Sequence, residues 1–465
     1  MIRIIHLILL LLSDVALHAD AIRTVRDFGA VGDGRQDDTL AIEKAIAAGG
    51  AVNLPPGRYR LTRTLRIELD TVGPVTIAGH GATLDMAGAG PAVHLVGTVQ
   101  RTAAPADFPP DFWAKQAGVS VSGVDFVGSH PAAVGLQVTR AMQLTVSRCN
   151  FRRLLHGIHF TERNRNAIID TCHVYDNRGA GVFVDRVDFH QLNIANCHIS
   201  YNHGGGIVVR GGALRNLQVG TCDIEANVGA GMPPTANILL DSTGGSIGEV
   251  EITGCTIQHY RGHPGFANIR FIGHSTAVPF TKEQRHGNLI IVGNMINDAD
   301  INIHLDGARG AVISGNSIHL AVSHDVLIEN SSEVVLTGTV FDRHPRYNPE
   351  RVANGVVVRQ GIVIRNSNRC TLSALRINGG KAAAAMDISG GDFFNISNCT
   401  VTDVESAALQ LDGVSDSVIA GNTFAPGNPE NLALRIRGGS GNLIDTNLVR
   451  GRSEIDSKSR SPREP

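Results

Sequence analysis

One short pattern returns thirteen times between Val124 and Asn447, and no other feature restricts the shape of this chain as much. An aliphatic residue is followed by two small or polar ones, a Cys or Asn, a polar residue and another aliphatic. Val146-Ser-Arg-Cys149-Asn-Phe151, Ile169-Asp-Thr-Cys172-His-Val174 and Ile194-Ala-Asn-Cys197-His-Ile199 are three copies; Ile291-Val-Gly-Asn294 and Ile419-Ala-Gly-Asn422 are later ones. Most copies are 22 to 25 residues apart, with three longer steps of 33, 39 and 36. A period of this size belongs to stacked units that bury a core only through their neighbours.

A second apolar run follows in each copy, as in Gly181-Val-Phe-Val-Asp185, Gly206-Ile-Val-Val-Arg210 and Asn302-Ile-His-Leu-Asp306. These runs alternate with period two, are rich in β-branched residues and are punctuated by Gly and Asn, which predicts short strands joined by tight turns. Two or three strands per coil predict an all-β fold, a parallel β-helix solenoid of about thirteen coils and roughly 60 Å at ~4.8 Å per coil. Six of the seven Cys (149, 172, 197, 222, 255 and 399) share one repeat position, which predicts an internal ladder of small apolar side chains; Cys370 lies off it. No C-x-x-C occurs, so no metal site is expected from cysteine.

The start, Met1-Ile-Arg3, an apolar run from Ile4 to Leu12 and Ala19-Asp-Ala21, reads as a signal peptide over 1–21 and predicts a secreted or periplasmic protein. Residues 22–118 are expected to hold a cap, the first coils and an inserted loop, 119–449 the repeats, and 450–465 a disordered tail. A net charge of −2 argues against nucleic acid as a partner, and no other segment is long and apolar enough for a membrane. The sequence does not indicate an oligomeric state.

Ahead of the repeats stands Asp27-Phe-Gly-Ala-Val-Gly-Asp-Gly-Arg-Gln-Asp-Asp-Thr39, then Ala41-Ile-Glu-Lys-Ala-Ile46 and Gly49-Gly-Ala-Val-Asn-Leu-Pro-Pro-Gly-Arg-Tyr59. Physically this predicts an N-terminal capping helix whose apolar face is Leu40, Ile42, Ala45 and Ile46, with Asp33, Asp37 and Asp38 as turn and cap residues. The run also resembles the N-terminal signature of the pectate-lyase superfamily, which includes rhamnogalacturonase-like hydrolases, alginate epimerase modules and phage tailspikes. That resemblance implies a single-stranded right-handed β-helix and a carbohydrate-directed function. It does not choose the reaction. Hydrolases of the superfamily carry N-T-D, D-D and G-H-G ahead of successive second strands, where this chain reads Leu154-Leu-His-Gly157, Arg178-Gly-Ala-Gly181 and His203-Gly-Gly-Gly206. The D-P-H element of the epimerase modules is missing as well.

Inside a packed solenoid only outward side chains and loops can meet a ligand. Alternation along the second strands predicts two outward columns. One runs Thr161, Asp185, Arg210, Asp241, Ile272, Asp306, Glu329, Arg365; the other runs His159, Phe183, Val208, Leu239, Arg270, His304, Leu327, Val363. Arg can grip a uronate through two parallel hydrogen bonds, and His or a carboxylate can move protons. Asp185, Arg210, Asp241, His304 and Asp306 are therefore the catalytic candidates. Glu329, Arg270, the turn residues Arg178, His203 and His263, and Trp113 of the loop Arg101–Gly118 are candidates for holding substrate. The same Asp/Arg alternation equally describes a cross-strand charge ladder. A second His/Tyr/Arg cluster (His173, Tyr175, His198, Tyr201, Asp223, Glu225, His259, Tyr260) follows the first strands. No cofactor is expected, and no loop signature supports calcium or another divalent cation. Together these features favour a protein that binds and cleaves a uronate-containing polysaccharide or oligosaccharide by β-elimination. Glycoside hydrolysis and non-catalytic polysaccharide binding are the alternatives.

Overall fold

The computed structural model describes residues 23–100, 105–233, 235–259, 262–278, 284–342 and 361–460; the stretch read as a signal peptide lies outside them. Strands gather into two parallel sheets, one of 29 strands (sheet A) and one of 15 (sheet B). A coil gives sheet A two strands, such as Arg163–Asp170 and His173–Tyr175, and sheet B one, Val182–Asp185. Each pairs in register with its counterpart one coil on. Thirteen of the sheet B strands follow the repeats, and Leu65–Glu68 and Gly90–Val96 add two coils before them. Fifteen coils make a rod of about 70 Å.

The repeated pattern has a backbone cause. Its third residue turns the chain between the two sheet A strands in the left-handed conformation, at Thr171 (φ 53°), Asn196 (53°) and Thr221 (51°). That corner aims the fourth residue inward. The Cys172 amide donates to Cys197 Sγ (3.4 Å), Cys197 to Cys222 (3.5 Å) and Cys222 to Cys255 (3.5 Å). From Cys255 onward Asn294 Oδ1 takes over as acceptor at 2.9 Å. All seven Cys are reduced and buried, Cys370 within the apolar core, so the ladder is an interior one as expected. Sequence reasoning missed a second ladder. Side-chain amides of Asn177, Asn202, Asn227, Asn237, Asn268 and Asn302 link one to the next at 2.7–2.8 Å, and Asn302 donates to Asp325 at 3.3 Å. Each of these side chains is fully buried.

At the N-terminal end the helix Thr39–Ala47 buries Ala41, Ile42, Ala45 and Ile46. Leu40, expected on that face, is exposed, because Ala41 occupies the inward position instead. The acidic signature is structural. Asp33 accepts from the Arg35 and Gln36 amides, and Asp37 from Thr39 and Thr62. Buried Asp38 accepts from the Val31 and Gly32 amides without capping the helix through its side chain. Gly32 (φ 71°) is required there, since a Cβ would sit 2.9 Å from the Tyr59 ring. At the other end the expected disordered tail is corrected for residues up to 460: Arg452–Ile455 forms the last strand of sheet B, because its backbone completes the ladder on Leu432–Arg437.

Candidate functional site

The outward face of sheet B carries the two predicted columns in register. Asp185, Arg210, Asp241, Ile272, Asp306, Glu329 and Arg365 are successive partners in one, and Phe183, Val208, Leu239, Arg270, His304, Leu327 and Val363 in the other. The strip is not one uniform polar surface. Over its middle coils Phe183, Val208 and Leu239 pack together with Ala180, and Phe183 and Val208 are buried although they point outward. Arg210 lies over the Phe183 ring at 5.2 Å and pairs with Asp185 (3.4 Å), which also holds Arg186 (3.1 Å). Asp241 accepts from the Thr243 amide at 2.9 Å. Asp185, Arg210 and Asp241 thus engage one another's coils or their own turns, in the manner of a charge ladder.

The next coils differ. Arg270 Nε donates to His304 Nδ1 at 3.0 Å, His304 Nε2 lies 3.3 Å from Glu329 Oε2, and Glu329 Oε1 lies 3.3 Å from Arg365. Four successive coils therefore contribute one hydrogen-bonded chain, Arg270–His304–Glu329–Arg365. A guanidinium can only donate, so Nδ1 of His304 is unprotonated and its proton sits on Nε2, facing Glu329. Burial, with the Arg270 charge second, holds the His304 imidazole below its ordinary pKa, against the pull of Glu329 and Asp306. Arg270 is itself pushed down by burial, with Asp300 opposing. Its remaining donors reach the Gly265 and Thr235 carbonyls. Asp300 fixes that loop by accepting from the Gly265 amide (2.6 Å) and from the Ser323 hydroxyl. Beside the chain His274 meets Asp306 at 3.2 Å, and Asn330 donates to the other oxygen of Asp306 at 2.9 Å. One coil further on, Asp387 has its pKa raised by burial and, second among the raising influences, by Asp412, with Arg365 opposing.

The remaining candidates are dispersed. Arg178 is exposed and folds back on the Arg153 carbonyl at 2.7 Å. His203 is exposed, next to Gly229 and Met232. His263 is half-buried in the loop that supplies Gly265. Trp113 is half-buried in a small aromatic cluster: it meets Phe108 and Phe112 edge-on at 5.7 and 6.1 Å, and with them packs on Val99 and Met142. His173, Tyr175, His198, Asp223 and Glu225 lie on sheet A, away from this face, and Tyr260 falls outside the described residues. Sequence reasoning missed Asp300, whose signal would have been a lone acid opening a second strand, and His274 in an insertion.

Other imidazoles on this face are held neutral. Burial, then Arg66, brings His94 down to about 4, and burial, then His159, brings His156 down to about 4. Unfolded, each would take a proton near pH 6.5. Between those values the unfolded chain binds protons that the folded one refuses, so their contribution is complete above about pH 6.5 and is lost as pH falls towards 4. Melting temperature should drop over that window, and the double substitution His94→Gln/His156→Gln should flatten the dependence. An unchanged slope assigns it elsewhere.

Three family profiles tile the chain: residues 22–99 match rhamnogalacturonase A/epimerase, pectate lyase-like; residues 113–257 match the right handed beta helix region; and residues 250–461 match the periplasmic copper-binding protein NosD. Residues 22–99 are thus pectate-lyase-like, and the chain folds as a right-handed β-helix. Among curated proteins it is similar to the pre-neck appendage protein of Bacillus phage B103 (46% identity over 56 residues, 12% of this chain and 6% of that one). It is also similar to mannuronan C5-epimerase AlgE6 of Azotobacter vinelandii (40% over 90 residues, 16% of this chain and 10% of that one). The chain thus spans no more than a tenth of the length of these two relatives. A solved structure, the A-module of the Azotobacter vinelandii mannuronan C-5 epimerase AlgE4, aligns over 93% of this chain and all of its own, at 15% identity and a TM-score of 0.46. Among the described residues no three His, Cys, Asp or Glu converge as metal ligands, and Cys255, Cys370 and Cys399 are buried in the core. No helix among the described residues is long and apolar enough to cross a membrane.

Proposed function

We propose that this β-helix protein binds a uronate-containing polysaccharide along sheet B and cleaves it by β-elimination at Glu329. The observation that carries the reading is the Arg270–His304–Glu329–Arg365 chain, which places an accessible carboxylate between a neutral imidazole and a half-exposed guanidinium. Arg365 would take the uronate carboxylate and acidify the adjacent C5–H. Glu329 would remove that proton as the C4–O bond breaks and C4=C5 forms, then return it to the departing oxygen, so that atoms and charge balance. His304, its tautomer fixed by Arg270, would hold Glu329 through Nε2–H. The C5 position and the acidic polymer in the name of the relative mannuronan C5-epimerase accord with this chemistry. Export to the periplasm or beyond belongs to the same proposal, supported by the apolar N-terminal run and the periplasmic NosD profile.

Hydrolysis has one observation in its favour: Asp387, a carboxyl with raised pKa beside Asp412, resembles the acid of a glycosidase pair. Incubating the protein with alginate, pectate and neutral polymers separates the readings. Unsaturated ends absorbing in the ultraviolet support elimination. Reducing ends without unsaturation transfer the assignment to the Asp387 region, and retention of polymer without any new ends makes the protein a binder.

A further inference from the structure

The N-terminal coils carry a second polar cluster on the outward face of sheet B, which the cleavage reading does not use. His94 Nε2 meets the Thr139 hydroxyl at 2.9 Å, and that hydroxyl meets Thr161 Oγ1 at 2.7 Å. Arg66 approaches the other nitrogen of His94 at 3.3 Å. The residues following the two threonines, Arg140 and Glu162, form an ion pair at the edge of a recess of about 520 Å³. Val99, Gln100, Arg163 and Asp188 complete its lining. This volume lies within the usual ~300–1,000 Å³ of small-ligand sites.

The charges of the recess cancel, because Arg140 pairs with Glu162 and Arg163 with Asp188. It therefore offers no excess cation to a uronate, whereas the Arg270–His304–Glu329–Arg365 chain sets two guanidiniums against one carboxylate. What it offers is the Gln100 amide and the paired donors and acceptors of Arg140, Glu162, Arg163 and Asp188, a set that recognises sugar hydroxyls. We propose that this recess binds an uncharged, hydroxyl-rich sugar segment as a site separate from Glu329. Six strand spacings of sheet B lie between Thr161 and Glu329, about 29 Å. The proposal stands whether or not Glu329 cleaves anything.

The chain provides its own reporter. Val99, on the recess wall, belongs to the aromatic cluster on which Trp113 packs, and Trp113 is the single tryptophan of the sequence. Neutral hexasaccharides of the manno, gluco and galacto series would be titrated into the full-length protein and into Glu329→Gln, following tryptophan fluorescence with calorimetry in parallel. The expected result is saturable binding of at least one hexasaccharide by both proteins. Arg140→Ala and Asp188→Asn, both at lining positions and verified as folded by circular dichroism, should each weaken it about tenfold, the worth of a hydrogen bond or two. Gln100→Ala, at an exposed position, serves if either variant fails to fold. The proposal is overturned if no hexasaccharide binds by either readout, if binding survives these substitutions, or if Glu329→Gln abolishes it.

Discussion

Glu329→Gln is expected to lower the rate of polymer cleavage by about 10²-fold or more, the usual share of a positioned proton carrier. The substitution keeps the shape of the side chain and an oxygen to accept from His304 Nε2, now 3.3 Å away, and removes the basic lone pair and the charge. Binding should persist, because Arg365 is half-exposed and retains free donors for a uronate carboxylate. The effect should accordingly appear in kcat, with KM changed less than about threefold. Asp306→Asn is the comparison: its carboxylate is already engaged by His274 and Asn330, and its loss should cost much less. Full activity in Glu329→Gln would remove the proposed base.

Asn227→Ala should destabilise the rod by about 3–5 kcal/mol, the range for losing a buried hydrogen-bonding side chain with several partners. Asn227 Oδ1 accepts from both the amide and the side chain of Asn202 (3.1 and 2.7 Å), and its Nδ2 donates to the Ile199 carbonyl and to Asn237 Oδ1 (2.8 Å each). Truncation removes four hydrogen bonds from a dry interior and leaves Asn237 Oδ1 only the backbone amide of residue 227 (3.1 Å), and each lost partner is costly there. Asn193→Ala, which breaks only a surface contact to Gln218, should shift stability by less than about 0.5 kcal/mol. Urea denaturation of the two variants measures the contrast; equal midpoints would mean that the ladder is replaced by water.

The parallel coils and the two outward columns were legible because a strand alternates faces strictly, so the inward Val182 and Val184 fix Phe183 and Asp185 outward. Accessibility was not. Phe183 and Val208 point outward yet are buried, an outcome set by contacts between coils, with Arg210 laid over Phe183, and no single copy of the repeat encodes it. The interior Cys ladder followed from a recurring position. The Asn ladder escaped because it changes place, from after the sheet A strands (Asn177, Asn202, Asn227) to the start of the sheet B strands (Asn237, Asn268, Asn302). Trp113 suggested a sugar platform because a long inserted loop carries it, and the edge-on packing of its indole on Phe108 and Phe112 is a contact the sequence does not display. Asp300 acts by accepting from the amide of Gly265, whose carbonyl takes Arg270, contacts that a side-chain pattern does not display.

In-register pairing of the sheet B strands from Thr161 to Glu329 makes that stretch of the rod a ruler graduated in steps of about 4.8 Å. Removing one whole coil between Thr161 and Glu329 would leave each remaining corner, ladder and column intact and shorten the distance between recess and carboxylate by one graduation. Variation in coil number alone can thus retune how long a saccharide must be to touch both, with no change in either set of contacting residues.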